Sequence, residues 1–202
     1  MIIGIKKIIN NIDTSKLNQK EVAVIQKYGS EKRRLESFNS LFILDQMLKE
    51  RNIFSYEVKR EFSGKPYIAN TNLYHNMSHA GIYASCVFHD EIIGIDIEQI
   101  TPRIIKIAKR FLSPSDLVRY EKKELKEVEL TIYWTIKEAF TKLSGRGLTI
   151  PFNEIEIEKE DSYYIASYKQ EKGYIKTFIV EDYIISVSAY NKFKEEPRIK
   201  FY

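Results

Sequence analysis

Two carboxylates sit inside an otherwise apolar run, Ile92 to Ile100, reading IIGIDIEQI. In a strand the side chains alternate faces, so Asp96 and Glu98 point to one side and Ile95 and Ile97 to the other. The isoleucines demand a core. The carboxylates repel each other at close range and demand water or a cation. An edge strand with a wet polar face meets both demands, and so does a site for a divalent metal ion. The stretch by itself leaves both open.

A chain of 202 residues can bury a substantial core, as one domain or as two small fused halves. Its single cysteine, Cys86, lies in the apolar run IYASCVF and reads as a core residue. One cysteine cannot staple a fold, which suits a reducing compartment. The opening MIIGIKKIIN is too short and too charged for a signal peptide or a membrane span and reads as a first strand. A cytoplasmic location is expected. The net charge of +4 is mild, but basic residues bunch in EKRRL (Glu31 to Leu35) and PRIIKIAKRF (Pro102 to Phe111). Such clusters favour phosphates, an acidic protein or nucleic acid, and are also found on ordinary solvated helix faces.

The periodicity predicts a helix over Ser30 to Arg51, with Leu35, Phe38, Leu41, Phe42, Leu44 and Leu48 apolar. Strands follow in YEVKREF, KPYIA, GIYASCVF and EIIGIDIE. Pro102 to Arg110 reads as a basic amphipathic helix, its stripe formed by Ile104, Ile107 and Ala108. Ser113-Pro114-Ser115-Asp116 reads as a helix start, with serine capping and proline first. Val128 to Ser144 is the long helix of the second half, and strands occupy the remainder. Each half therefore runs a long helix and then antiparallel-looking strands. The class is α+β, divided as 1–100 and 101–202.

On the long helix Ile132, Ala139, Phe140 and Leu143 fall within about 60° of Ile136 and form a buried stripe. Trp134, Glu138 and Thr141 fall opposite, with Lys142 near them. Glu138 and Lys142 can pair at i,i+4 on a solvated surface. A tryptophan opposite the core stripe needs a second surface to cover it. If that surface is the strand of Asp96 and Glu98, three carboxylates converge, and Mg²⁺ with a phosphate ligand would relieve their repulsion. Lys65, beside a turn, can donate to a phosphate. Ser78 and His79 are read at the start of a strand, before Gly81, with no acid placed to make His79 a base for Ser78. The usual nucleotide, dinucleotide and zinc signatures are absent.

Three blocks then stand in a telling order: GKPY (Gly64 to Tyr67) with NMSHAGI (Asn76 to Ile82), IGIDIEQ (Ile93 to Gln99), and YWTIKEAFTKLSGRGLT (Tyr133 to Thr149). Together they resemble the Sfp-type 4′-phosphopantetheinyl transferases. That resemblance implies a pseudo-dimer of two similar α+β halves with the active site between them. It implies transfer of the phosphopantetheine arm of coenzyme A to a serine of an apo carrier protein, releasing adenosine 3′,5′-bisphosphate. It assigns Asp96, Glu98 and Glu138 to Mg²⁺, and Lys65, Ser78, His79, Lys137 and Lys142 to the coenzyme A phosphates. Glu138 would take the serine proton, Lys142 would stabilise the leaving phosphate, and Asp96 belongs to the same catalytic group.

The family's carriers are acidic helical bundles of fatty-acid, polyketide or nonribosomal peptide biosynthesis, and the basic segment Arg103 to Leu112 is the expected dock. Neither nucleic acid nor membrane is expected as a partner. A monomer is expected, because the shorter trimeric holo-acyl-carrier synthases carry their acidic strand near the N-terminus. The family's helix arginine is missing from LESFNSLFILDQML, where Lys32, Arg33 or Arg34 could substitute. The acid after the family's FFS-like stretch is the shorter Asp116. A catalytically inactive relative that holds coenzyme A or a carrier is one alternative. A basic nucleic-acid-binding module is the other, and it gives no reason for Asp96 and Glu98. Carrier identity and the choice between Mg²⁺ and Mn²⁺ are not written in the sequence.

Overall fold

The computed structural model describes residues 1–62 and 64–202, with Leu148 described by its backbone alone. In chain order the elements are β1 (Ile2–Lys7), α1 (Gln19–Ile25), α2 (Glu31–Lys49), β2 (Val58–Arg60), β3 (Pro66–Ile68), β4 (Leu73–Ala80), β5 (Tyr83–His89) and β6 (Ile93–Gln99). There follow α3 (Arg103–Phe111), α4 (Pro114–Glu121), α5 (Glu127–Ser144), β7 (Glu156–Lys159), β8 (Tyr164–Tyr168), β9 (Glu171–Val180), β10 (Tyr183–Ala189) and β11 (Arg198–Phe201). The class is α+β, as expected. Two compact units form, Met1–Ile92 with Glu195–Tyr202, and Ile93–Lys194.

The first unit holds the sheet β11-β1-β5-β4-β3-β2, antiparallel except for the parallel pair β1–β11. Helix α2 starts where Ser30 accepts a hydrogen bond from the Arg33 amide at 3.3 Å. It buries Leu41, Leu44, Met47 and Leu48 in one core with Ile68, Ala84, Cys86 and Phe88. Cys86 is thus the core residue it was expected to be. Helix α1 was not anticipated, because only Val22 and Ile25 on it are buried, too few to show a period. It is held instead by the Asn18 side chain, which accepts from the Lys20 and Glu21 amides.

The second unit is the antiparallel sheet β6-β10-β9-β8-β7 with α5 laid on it. The expected stripe is present: Ile136, Ala139, Phe140 and Leu143 are fully buried, and Ile132 is partly so. Helix α3 adds Ile104, Ala108 and Phe111 to a cluster with Leu125, Leu130 and Tyr133. Ser113 caps α4 by accepting from the Asp116 amide at 3.4 Å, with Pro114 first in the helix. The unit boundary differs from the expected break at residue 100. β6 is hydrogen-bonded along its whole length to β10, Ile93 opposite Ala189 and Gln99 opposite Tyr183, so it belongs to the second unit. β11 pairs with β1, which returns the last residues to the first unit.

The approach of α5 to β6 depends on Gly94. A Cβ there would collide with the Ala139 carbonyl oxygen and lie 2.6 Å from the Leu143 amide nitrogen and 2.7 Å from Ser188 Oγ. Two of these are backbone atoms of the helix and cannot swing aside. Ser188 Oγ also donates to the Ala139 carbonyl at 2.7 Å, fixing the helix at that depth. Gly94→Ala is therefore expected to lower unfolding stability by about 3 kcal/mol, the upper end for overpacking a tight core. Urea denaturation checks this; a loss within error of zero would mean the contact is not tight.

Candidate active site

Asp96 and Glu98 lie on the face of β6 turned toward α5, and Trp134, Glu138 and Lys142 lie at successive i,i+4 positions of that helix. Asp96 is 4% exposed, and its Oδ1 accepts a hydrogen bond from Lys142 Nζ at 2.8 Å. Trp134 Nε1 donates to Glu98 Oε1 at 3.1 Å. The indole ring itself is packed against Phe111 and Phe152, with centroids 5.2 and 5.1 Å away. The second surface that Trp134 demanded is therefore aromatic on its body and acidic at its nitrogen. The i,i+4 ion pair read for Glu138 and Lys142 is replaced by the longer-range pair Lys142–Asp96, because β6 is within the lysine's reach.

Burial, and then the charge of Asp96, push Glu98 up to about 7; Glu138 contributes, while Trp134 and Lys142 oppose. Glu138 is likewise pushed up to about 7 by burial and then by Asp96, against the pull of Lys142. Three carboxylates thus sit within range of one another's charge with one lysine among them. A donor set made only of carboxylate oxygens is the chemistry of a hard divalent cation such as Mg²⁺. The residues fit such an ion in kind. They are neighbours rather than a finished cage: among the described residues no group of three or more His, Cys, Asp or Glu is gathered closely enough to hold a metal ion. Beside Glu98 opens a cavity of about 190 Å³ bordered by Trp134, Arg103, Ile104 and Ile107.

Lys137 has a different place from the one expected. It is fully buried, and Nζ donates to the carbonyls of Phe111, Phe152 and Ile155 at 2.8, 2.9 and 2.8 Å, with Asp116 at 3.9 Å. Burial lowers its pKa to about 8. Its ammonium ties the end of α3 and the segment 152–155 to α5 and is enclosed away from a phosphate ligand. Asp116 is correspondingly buried against Ser113 and Lys137. On α3, Arg103, Lys106, Lys109 and Arg110 are exposed, as expected of a basic face, and so is Ile105 at 42%. Phe111 and Leu112 are in the core, because their positions complete the inward stripe, and they drop out of the docking segment.

The remaining expected residues belong to the first unit. Lys65 is half-buried beside Gly64, whose φ of +85° suits glycine, in a turn closed by the Glu61 amide and the Lys65 carbonyl at 2.9 Å. Ser78 and His79 stand near the end of β4, since the strand already begins at Leu73. An acid does face His79: Glu36 Oε2 is 3.3 Å from its Nδ1. Sequence reading had no means to find it, because 43 residues and a helix-to-strand contact separate the two. Arg33 stacks over Tyr28 and Arg34 donates to the Tyr28 carbonyl at 2.7 Å, while Lys32 lies 3.7 Å from Glu36 Oε1.

Residues 92–188 match the family described as the 4′-phosphopantetheinyl transferase superfamily. The chain is 34% identical over 133 residues to a 4′-phosphopantetheinyl transferase of Bacillus subtilis, covering 62% of this chain and 59% of that protein. It is 36% identical over 128 residues to 4′-phosphopantetheinyl transferase Sfp of Bacillus subtilis (strain 168), covering 55% and 57%. The chain thus spans under two thirds of the length of these two relatives. The crystal structure of Thermotoga maritima holo-[acyl-carrier-protein] synthase matches with a TM-score of 0.41 at 18% identity, over 48% of this chain and 60% of that one. The family match thus covers just under half of the chain. The resemblance to the family's Sfp type, read from the three motifs, is borne out.

Two outcomes follow from the geometry. A carboxyl raised from 4.5 to about 7 by folding stabilises the protein below 4.5, and that contribution is lost as pH rises to about 7. In EDTA at neutral pH, Glu138→Gln is therefore expected to raise stability by about 1–3 kcal/mol, one pKa unit being worth about 1.4 kcal/mol. The gain should vanish below pH 4.5; a gain independent of pH would refute the electrostatic cause. Lys137→Met should cost about 3–5 kcal/mol by stranding Asp116 and three carbonyls, as removal of one partner of a buried pair does. Chemical denaturation measures it, and an unchanged midpoint would return Lys137 to the list of ligand contacts.

Proposed function

We propose that this chain transfers the 4′-phosphopantetheine arm of coenzyme A to a serine hydroxyl of an apo carrier protein. The serine oxygen forms a bond to the phosphorus that bears the pantetheine arm. The bond from that phosphorus to the bridging pyrophosphate oxygen breaks, and adenosine 3′,5′-bisphosphate departs. The observation that carries the reading is the grouping of Asp96, Glu98, Glu138 and Lys142 within the segment that matches the superfamily.

Asp96, Glu98 and Glu138 are the residues that would hold Mg²⁺, which supplies neutralisation of charge on the pyrophosphate oxygens. Glu138 takes the proton from the incoming serine, as a positioned carboxylate does in general-base catalysis. Lys142, held at 2.8 Å by Asp96, stabilises the charge on the departing phosphate. Lys65, Ser78 and His79 are assigned to coenzyme A on the resemblance of their motifs. The nucleophile belongs to the carrier, which accounts for the lack of an activated serine or cysteine in this domain's motifs.

The acidic carrier docks on the exposed face of α3, where Arg103, Lys106, Lys109 and Arg110 surround Ile105. The reading carries with it a cytoplasmic monomer, compatible with the buried thiol of Cys86. Among the described residues no helix is long and apolar enough to cross a membrane.

Intact-protein mass spectrometry of apo acyl and peptidyl carriers, with this protein, coenzyme A and Mg²⁺, should show the gain of one phosphopantetheine arm. EDTA or Glu98→Ala should abolish it. A carrier left unchanged while coenzyme A still binds by calorimetry would point to an inactive relative. Lys106→Glu with Lys109→Glu should raise the carrier KM severalfold and leave the coenzyme A KM unchanged. An unchanged carrier KM would move the dock elsewhere.

A further inference from the structure

Glu36 lies on α2 with its side chain 9% exposed, and each of its oxygens faces a different basic side chain. Lys32 Nζ, one turn earlier on the same helix, is 3.7 Å from Oε1. His79 Nδ1, on β4, is 3.3 Å from Oε2. A carboxylate at this depth is costly unless it is paired, and packing of α2 on its sheet gives no reason for one. Leu41, Leu44, Met47 and Leu48 already make that contact. Arg33 and Arg34 are engaged at Tyr28 and contribute nothing to it.

The chemistry of the pair is directional. A carboxylate can only accept, so the proton between the two groups sits on His79 Nδ1. Holding Nδ1 fixes the plane of the ring and the direction of Nε2, as carboxylate partners do for ligand-binding histidines. The side chain of His79 is 37% exposed, so part of the ring faces outward while its Nδ1 is held by a buried acid.

We propose that Glu36 is a positioning residue, aiming His79 at a phosphate group of coenzyme A. The inference rests on the assignment of His79 to coenzyme A made above. Glu36 acts through the imidazole and takes no part in the transfer itself.

Calorimetric titration of coenzyme A into the wild type, Glu36→Gln, His79→Ala and the double variant, across the neutral pH range, tests it. Glu36→Gln should raise Kd about tenfold or more, the size usual for loss of an orienting partner. It should also change the pH dependence of Kd, and it should add nothing in the His79→Ala background. An equal loss in both backgrounds would overturn the proposal, since Glu36 would then act by another route. So would an unchanged Kd in Glu36→Gln beside a weakened His79→Ala, and that result would leave the assignment of His79 intact. An unchanged Kd in His79→Ala would overturn the assignment of His79 together with the positioning role.

If Glu36→Gln does not fold, imidazole ¹⁵N spectra of the wild type decide without it. The chain has three histidines, and the His79 resonances are assigned by their loss in His79→Ala, apart from those of His75 and His89. His79 should carry its proton on Nδ1; a neutral ring protonated on Nε2 alone would refute the proposal.

Discussion

The seating of α5 on β6 is the contact on which the rest of the second unit depends. Gly94 lets the helix backbone come down onto the strand, and Ser188 bonds to the Ala139 carbonyl at the same level. Only at that depth does Lys142 reach Asp96 and Trp134 reach Glu98. A helix lifted by one methyl group would lengthen both bonds and open the acidic cluster to water. The glycine before the acid pair is thus as much a determinant of the site as the acids are.

The same contact makes the site electrostatically expensive. Burial raises Glu98 and Glu138, and the charge of Asp96 raises them further. In the same unit Lys137 and Asp116 form a buried pair closed by carbonyls and the Ser113 hydroxyl. A structural ion pair and an acidic cluster therefore occupy one unit. Buried carboxylates that raise one another's pKa are where a cation has most to offer.

Lys137 and Lys142 show how far sequence reasoning carries. Both lie in one motif on one helix, and five residues turn the helix by about 140° past whole turns. One lysine therefore points into the core beneath Phe152 while the other points at β6. A motif match gives both the same standing; the phase of the helix and what covers each side separate them. Phe111 and Leu112 failed as docking residues for a related reason, since the inward stripe of α3 runs on into them. Helix α1 escaped notice because polar caps, rather than an apolar period, hold it.

What the sequence determined by itself was local and periodic. The alternation in IIGIDIEQI placed two acids on one face. The 3.6-residue period of Val128 to Ser144 set its core stripe apart from Trp134, Glu138 and Lys142, and the serine-proline start of α4 was legible in four residues. Only the tertiary structure decided which partners those groups met. It gave Lys142 to Asp96, Lys137 to three carbonyls, Glu36 to His79, and β6 to the sheet of the second unit. The reason is physical: a period fixes the direction of a side chain from its own backbone, whereas a partner on another element is fixed by how closely two backbones can pack. In this chain that distance is set by a glycine whose role no period reveals.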